Sequence, residues 1–375
     1  MKAKAAVLRT MGAPAPYADS RPLAVEELDL TPPGDGEVLV RIAAAGLCHS
    51  DLSVINGDRP RPLPMALGHE AAGVVEEVGR GVGDLKAGDH VVMVFVPSCG
   101  HCQPCMEGRP ALCEPAAAAN TAGSLISGEW RLHGSGGERI NHHVGVSAFA
   151  EYAVVSRNSL VKIDASLPLE HAALFGCAVL TGAGAVFNTA RVRAGTDVAV
   201  VGLGGVGLSA LLAAVAVGAA RIVAVDLSDA KLETARKLGA THTVNATQDD
   251  CAEQVRDLTG GGVDTALEMA GSPRAMDLAF RITRRGGVTV TAGLPNPQLR
   301  WPMPLVPLVG EERTVMGSYI GSSVPVRDIP RYVRLFQAGR LPVDKLLSER
   351  VRLDGLNAAF DRLARGESIR QVLTF

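Results

Sequence analysis

The chain begins with short apolar runs broken by glycine and proline, such as "MKAKAAVLRT", "EVLVRIAAAG" and "AAGVVEEVG". Runs of this length predict β-strands, with turns at the Pro and Gly positions between them. Towards the middle of the chain the pattern changes, and strand-like blocks alternate with longer helical ones, as in α/β architecture. Two stretches, Ala172 to Ala190 and Val198 to Ala220, contain no Asp, Glu, Lys or Arg. By length alone each could cross a membrane. The second, however, holds "VGLGGVG" and runs into "RIVAVD", which favours buried α/β core for both.

Composition adds bounds to this picture. A chain of 375 residues, 47% of them hydrophobic, can bury a large core and suggests two or more domains. With 37 basic against 39 acidic residues, no excess charge points to a nucleic acid or an anionic membrane as partner. Arg9 and the prolines after it interrupt any signal-peptide pattern, so a cytoplasmic location is expected.

Four of the seven cysteines fall in "CGHCQPCMEGRPALC": Cys99, Cys102, Cys105 and Cys113. In a reducing compartment a disulfide framework is not expected, whereas four thiolates can close a tetrahedral shell around one structural zinc ion. An iron–sulfur cluster or a thiol switch also uses close cysteines, but the seven-residue gap before Cys113 favours zinc. Of the remaining three, Cys251 in "TQDDCAEQ" reads as a small buried residue. Cys48 in "GLCHSD" and Cys177 in "FGCAVLTG", with His69 in "GHEAAG", supply two thiolates and one imidazole, the ligand types of a catalytic zinc with an open fourth position. Spacing alone makes that grouping suggestive only, since each residue taken singly suits a buried structural role.

The stretch "TDVAVVGLGGVGLSALLAAVAVGAARIVAVD" carries a second kind of chemistry. A strand at Val198 to Val201 precedes Gly202-x-Gly204-Gly205-x-Gly207, an Ala/Leu helix follows, and a second strand closes on Asp226. That order is a dinucleotide fingerprint: a tight turn at Gly202, close backbone approach to the pyrophosphate at Gly204, close helix packing at Gly207. The helix N-terminus favours phosphate, and Asp226 would accept hydrogen bonds from the adenosine ribose. A carboxylate there repels a 2′-phosphate, so NAD is expected over NADP.

Together "GLCHSD", "LGHEAAGVVEEVG", the four-cysteine lobe, "FAEYAVV", "GCAVLTGAGAV", "GLGGVGLSA", "VDLSDAKLETARKLGATHTVN" and "GESIRQVLTF" resemble the zinc-dependent medium-chain alcohol dehydrogenases over nearly the whole chain. The resemblance implies an α/β protein: a β-rich GroES-like catalytic domain over 1–178 and 321–375, with the structural-zinc lobe at 97–114, and a Rossmann NAD-binding domain over 179–320. It places the active site in the cleft between them. Two zinc ions per chain are implied, one held by Cys48, His69 and Cys177 and one by Cys99, Cys102, Cys105 and Cys113. Asp51 would orient His69, Glu70 would lie beside the zinc, and Ser50 would accept the alcohol proton. Ser53 stands where the best-known relatives end that proton relay with a histidine. His49 and Arg370 would contact the cofactor phosphates, Lys231 the adenosine ribose, and Thr181 and Val206 the nicotinamide. Phe95, Leu294 and Tyr319 match pocket positions and favour an apolar alcohol, such as a benzylic one, over a polyol.

The implied activity is reversible, NAD-dependent oxidation of a primary or secondary alcohol. The long loop from Glu114 to Ala148 keeps a second expectation open, oxidation of S-(hydroxymethyl)glutathione, although Arg59 and Arg61 flank the acid Asp58 that such a site would use. An NAD-binding protein without catalysis is the alternative of another class. Homo-oligomers are implied, dimers through the Rossmann domain or else tetramers.

Overall fold

Burial that alternates from Lys2 to Ala5 and is continuous from Ala5 to Leu8, and near-continuous burial along Glu37–Gly46, fit a barrel wall and a central strand. The computed structural model describes residues 1–375. It contains two compact units: Met1–Cys177 with Val324–Pro330 and Leu347–Phe375, and Ala178–Ser323 with Arg331–Leu346.

In the first unit five strands close a barrel, in the order Lys2–Leu8, Leu23–Leu30, Leu132–His133, Arg139–His142 and Met65–Ala66. Beside it lies a seven-stranded sheet in which Glu37–Gly46 is flanked by Ala71–Val78 and Arg370–Thr374, and also pairs with Tyr152–Ser156. Leu8, Val40, Ile42, Leu47, Phe149 and Phe360 are among the fully buried side chains of this unit's main core. The stretch expected as one long loop, Glu114 to Ala148, instead carries the helix Glu114–Ala122 and two barrel strands. Leu132 and Ile140 are its inward anchors, paired across those strands and buried with Leu28 and Ala66.

The second unit is built on six parallel strands in the order His242–Asn245, Arg221–Asp226, Asp197–Val201, Val263–Glu268, Thr283–Thr291 and Thr314–Gly317. The order reverses beside Asp197–Val201, and ligands of such sheets bind at the carboxyl ends of the strands at that point. The charge-free stretch Val198 to Ala220 resolves into that strand, the glycine turn and the helix Gly205–Val217, which ends at Gly218 in the left-handed conformation. Ala172 to Ala190 is likewise broken, with Cys177 standing between two helical segments. No single helix is long and apolar enough to cross a membrane.

Candidate active site and cofactor turn

Cys48 ends the central strand's continuation and stands immediately before the helix His49–Ile55. The carboxylate of Asp51, three residues on, accepts the Cys48 backbone N–H through Oδ2 at 3.2 Å. Its Oδ1 accepts the Gly68 N–H at 3.2 Å and faces His69 Nδ1 at 3.0 Å. Asp51 is fully buried, so one carboxylate fixes both the Cys48 and the His69 segments. A carboxylate oxygen accepts only, which puts the His69 proton on Nδ1 and leaves the lone pair on Nε2.

That Nε2 is buried and has no hydrogen-bond partner. The ligand atoms of Cys48, His69 and Cys177 all lie within 4.8 Å of one another. A buried imidazole nitrogen without a partner, facing two sulfurs, is the donor set that a zinc ion with an open position takes. The Cys177 sulfur, with His69 and Arg370, holds the Cys48 thiol well below its usual range despite burial. The contact with Cys48 and burial together push Cys177 well above it. Burial opposes charge on His69, but Asp51 and the Cys48 sulfur outweigh it and raise the imidazole pKa.

Glu70 and Arg370 form a buried ion pair beside this cluster. Gly46 makes room for it: a Cβ there would meet the Glu70 carboxylate at 2.2 Å and Arg370 Nη2 at 3.1 Å. Burial pushes the Glu70 carboxyl up, and Arg370 opposes that shift. Phe95 meets the His69 ring edge to face at 5.2 Å. Ser50 is half-buried and His49 exposed on the first turn of the helix after Cys48. Ser53 donates its hydroxyl to the His49 carbonyl at 2.8 Å, a bond within that helix.

The other four cysteines also have their sulfurs within 4.8 Å of one another. Backbone amides point into the sulfurs, from Cys102 to Cys99 and from Cys99 to Cys113, each at 3.2 Å. The His101 amide leads in drawing the Cys99 thiol down to about 6, while burial pushes Cys105 up to about 12. Four sulfurs this close on one short lobe, two of them accepting backbone amides, suit a closed metal shell.

On the second unit, Gly202 takes φ +92°, and its Cβ would lie 2.7 Å from the Ala270 nitrogen. A Cβ on Gly207 would overlap the Gly202 carbonyl, whereas one on Gly204 would meet nothing within 4 Å. The turn is therefore closed on its protein side and open at Gly204, the cradle a pyrophosphate needs. Gly205 is the first residue of the helix, and Val206 follows it half-buried. Asp226 stands at the end of its strand and stitches the turn together, accepting the Leu203 amide at 2.7 Å and the Ser228 amide at 3.0 Å. Lys231 lies in the helix that follows. Thr181 is buried on a helix whose neighbouring Gly182 would, with a Cβ, approach the Val206 carbonyl to 2.3 Å. Leu294 and Tyr319 belong to this unit and are exposed, while Phe95 belongs to the first.

Sequence reasoning missed His143, which lies 3.1 Å from Asp51 Oδ1. The doublet "NHHVG" was the available signal, a histidine beside apolar residues and glycine, but it lay in a stretch expected as loop. It also missed the Glu70–Arg370 pair, whose members are 300 residues apart.

Comparison with known proteins gives consistent matches along the chain. Residues 34–165 match the alcohol dehydrogenase GroES-like domain, and residues 205–338 match the zinc-binding dehydrogenase family. The NDMA-dependent alcohol dehydrogenase of Amycolatopsis methanolica is 41% identical over 381 residues, spanning 100% of this chain and 99% of that protein. Among solved structures, an alcohol dehydrogenase zinc-binding domain protein from Burkholderia ambifaria superposes with TM-score 0.94 at 38% identity, covering 100% of this chain and 99% of that one. Benzyl alcohol dehydrogenase from Acinetobacter calcoaceticus gives 0.93 at 34% identity, with the same coverage.

The buried ion pair generates a prediction. Arg370→Met leaves the Glu70 carboxylate without its cation and should destabilise the protein by about 3–5 kcal/mol, read as a lower urea midpoint. Adding Glu70→Gln should recover part of the loss, and a wild-type midpoint in the single variant would contradict the pairing.

Proposed function

We propose, on the premise that this chain belongs to the zinc-dependent medium-chain alcohol dehydrogenases and is an oxidoreductase acting on alcohols, that Cys48, His69 and Cys177 hold its catalytic zinc and that NAD is its hydride acceptor. The observation that carries the zinc assignment is the partnerless, buried His69 Nε2 facing the two sulfurs. Zinc bound there would supply Lewis acidity, lowering the pKa of an alcohol at its open position. NAD bound at the Gly202–Gly207 turn would supply the acceptor for hydride.

The chain's own residues do the rest. Asp51 keeps the His69 proton on Nδ1, so that Nε2 presents its lone pair. Ser50, two positions after Cys48, takes the alcohol proton. Ser53 donates its one O–H to the His49 carbonyl, so its proton is held within the helix and Ser53 does not stand in for the histidine of the relatives. Arg370 offsets the negative charge of two thiolates and Glu70. Cys99, Cys102, Cys105 and Cys113 hold a second, structural zinc. Asp226 selects NAD, His49, Arg370 and Lys231 bind the phosphates and ribose, and Thr181 and Val206 back the nicotinamide.

An apolar, aryl-tolerant substrate is supported by Phe95 against His69 and by the likeness to a benzyl alcohol dehydrogenase. The glutathione-dependent reading loses its main support, because the stretch after Cys113 is helix and barrel strand rather than a long loop. Arg61 is also engaged there, donating to the Asn120 carbonyl at 3.1 Å. We further propose a homodimer through the second unit. Its edge strand Thr314–Gly317 has one neighbour, and Leu305, Val306 and Val309 nearby in sequence are 67%, 83% and 76% exposed. Strand addition by a second copy would satisfy that edge.

Three measurements test these assignments. Zinc-loaded protein should reduce NAD with benzyl and straight-chain alcohols, unaffected by glutathione. Activity only with formaldehyde plus glutathione, or only with NDMA added, would overturn the substrate or the acceptor. Cys48→Ser should cut turnover by about a thousandfold or more and remove one zinc, with the fold intact. Cys99→Ser should remove the other zinc and lower the unfolding midpoint; equal losses in both variants would undo the division of roles. Sedimentation should give twice the chain mass, falling to the monomer in Val306→Glu with Val309→Glu, whereas a monomeric wild type would exclude the dimer.

A further inference from the structure

The histidine that sequence reasoning passed over has a definite place. His143 is 3% exposed, and its Nδ1 lies 3.1 Å from the same Asp51 oxygen that faces His69. That Nδ1 has no partner in hydrogen-bond geometry, so Asp51 Oδ1 is the polar atom it approaches rather than one it is aligned with. A carboxylate oxygen cannot donate, so the tautomer with its proton on Nδ1 is the one a small ring adjustment would turn into a donor to Asp51. The His143 and His69 rings meet edge to face at 5.5 Å, and Phe95 meets His69 at 5.2 Å.

The segment carrying His143 is built to hold this position. The His143 amide donates to Ser147 Oγ at 2.9 Å, and that hydroxyl donates to the Ala66 carbonyl at 2.8 Å. Ala148 and Phe149 donate to the Gly68 and Leu67 carbonyls, each at 3.0 Å, which ties the segment to the strap leading into His69. Val144 and Ser147 both adopt positive φ, 46° and 54°, which non-glycine residues take only where surroundings dictate it. Gly68 must be glycine for this packing, since a Cβ would lie 2.4 Å from the Phe149 nitrogen.

We infer that His143 is a positioning residue for the zinc ligand His69. It acts through Asp51, as a second imidazole that fixes the carboxylate whose other contacts set the His69 ring and the Cys48 backbone. The inference rests on Cys48, His69 and Cys177 binding zinc. Its distinctive consequence concerns the hold on the metal rather than the chemistry that follows.

The test uses the full-length, zinc-loaded protein and its cobalt-substituted form, with 4-(2-pyridylazo)resorcinol as competing chelator. His143→Phe removes the N–H, and His143→Asn keeps a donor near the Nδ1 position. The phenylalanine variant should surrender the zinc of the three-ligand site about 10–100-fold more readily and shift the cobalt ligand-field band, while the asparagine variant stays within about threefold of wild type. Retention of the four-cysteine zinc marks each variant as folded, and His143→Leu replaces the phenylalanine if that ring is not accommodated. Unchanged zinc release and an unchanged band in the apolar variants would overturn the inference, as would an asparagine variant no better than they are. A wild type that binds zinc only at the four cysteines would sink the zinc assignment itself. Two bound zinc ions with an indifferent His143→Phe would sink this inference alone.

Discussion

A single buried carboxylate holds the candidate centre together. Asp51 accepts the backbone amides of Cys48 and Gly68, and its Oδ1 faces the Nδ1 atoms of His69 and His143. Burying a charge is costly unless it is hydrogen-bonded, and each bond to a charged acceptor returns about 1.5–3 kcal/mol. With this many donors converging, the carboxylate stays ionised: burial pushes its pKa up, but the two histidines outweigh that and hold it down. Two segments far apart in sequence thereby acquire one geometry, and the third candidate ligand, Cys177, enters where a short helical turn gives out.

The cofactor turn obeys a different constraint, steric rather than electrostatic. Gly202 and Gly207 are pressed against backbone, so neither tolerates a Cβ, while Gly204 faces open space. Asp226 is already bonded to two amides of its own unit, which fixes its carboxylate in advance of the ribose contact proposed for it. A group held in advance loses less freedom on binding than one that must be ordered then.

Much of this was legible in the sequence because it depends on local spacing. The four-cysteine lobe, the strand–glycine–helix–strand run and the apolar strands near the N-terminus each lie within a short stretch. The alternation of elements and the family resemblance were enough to expect a β-rich unit beside a parallel α/β one. What escaped was set by long-range packing. Glu70 meets Arg370 only because the C-terminal strand pairs with Glu37–Gly46. His143 reaches Asp51 only because its segment is laced to Leu67 and Gly68. The Ser53 hydroxyl bonds to the His49 carbonyl four residues back, a preference of serine inside helices that its position in the sequence does not reveal.

The proposed assignment makes the partnerless His69 Nε2 and the two neighbouring sulfurs a metal site distinct from the four-cysteine lobe. Anomalous diffraction from crystals of the zinc-loaded protein, measured on either side of the zinc absorption edge, tests it most directly. Two zinc peaks per chain are expected, one among Cys99, Cys102, Cys105 and Cys113 and one with His69 Nε2 at about 2.0–2.1 Å and the Cys48 and Cys177 sulfurs at about 2.3 Å. A peak at the four cysteines alone, with none beside His69, would contradict it.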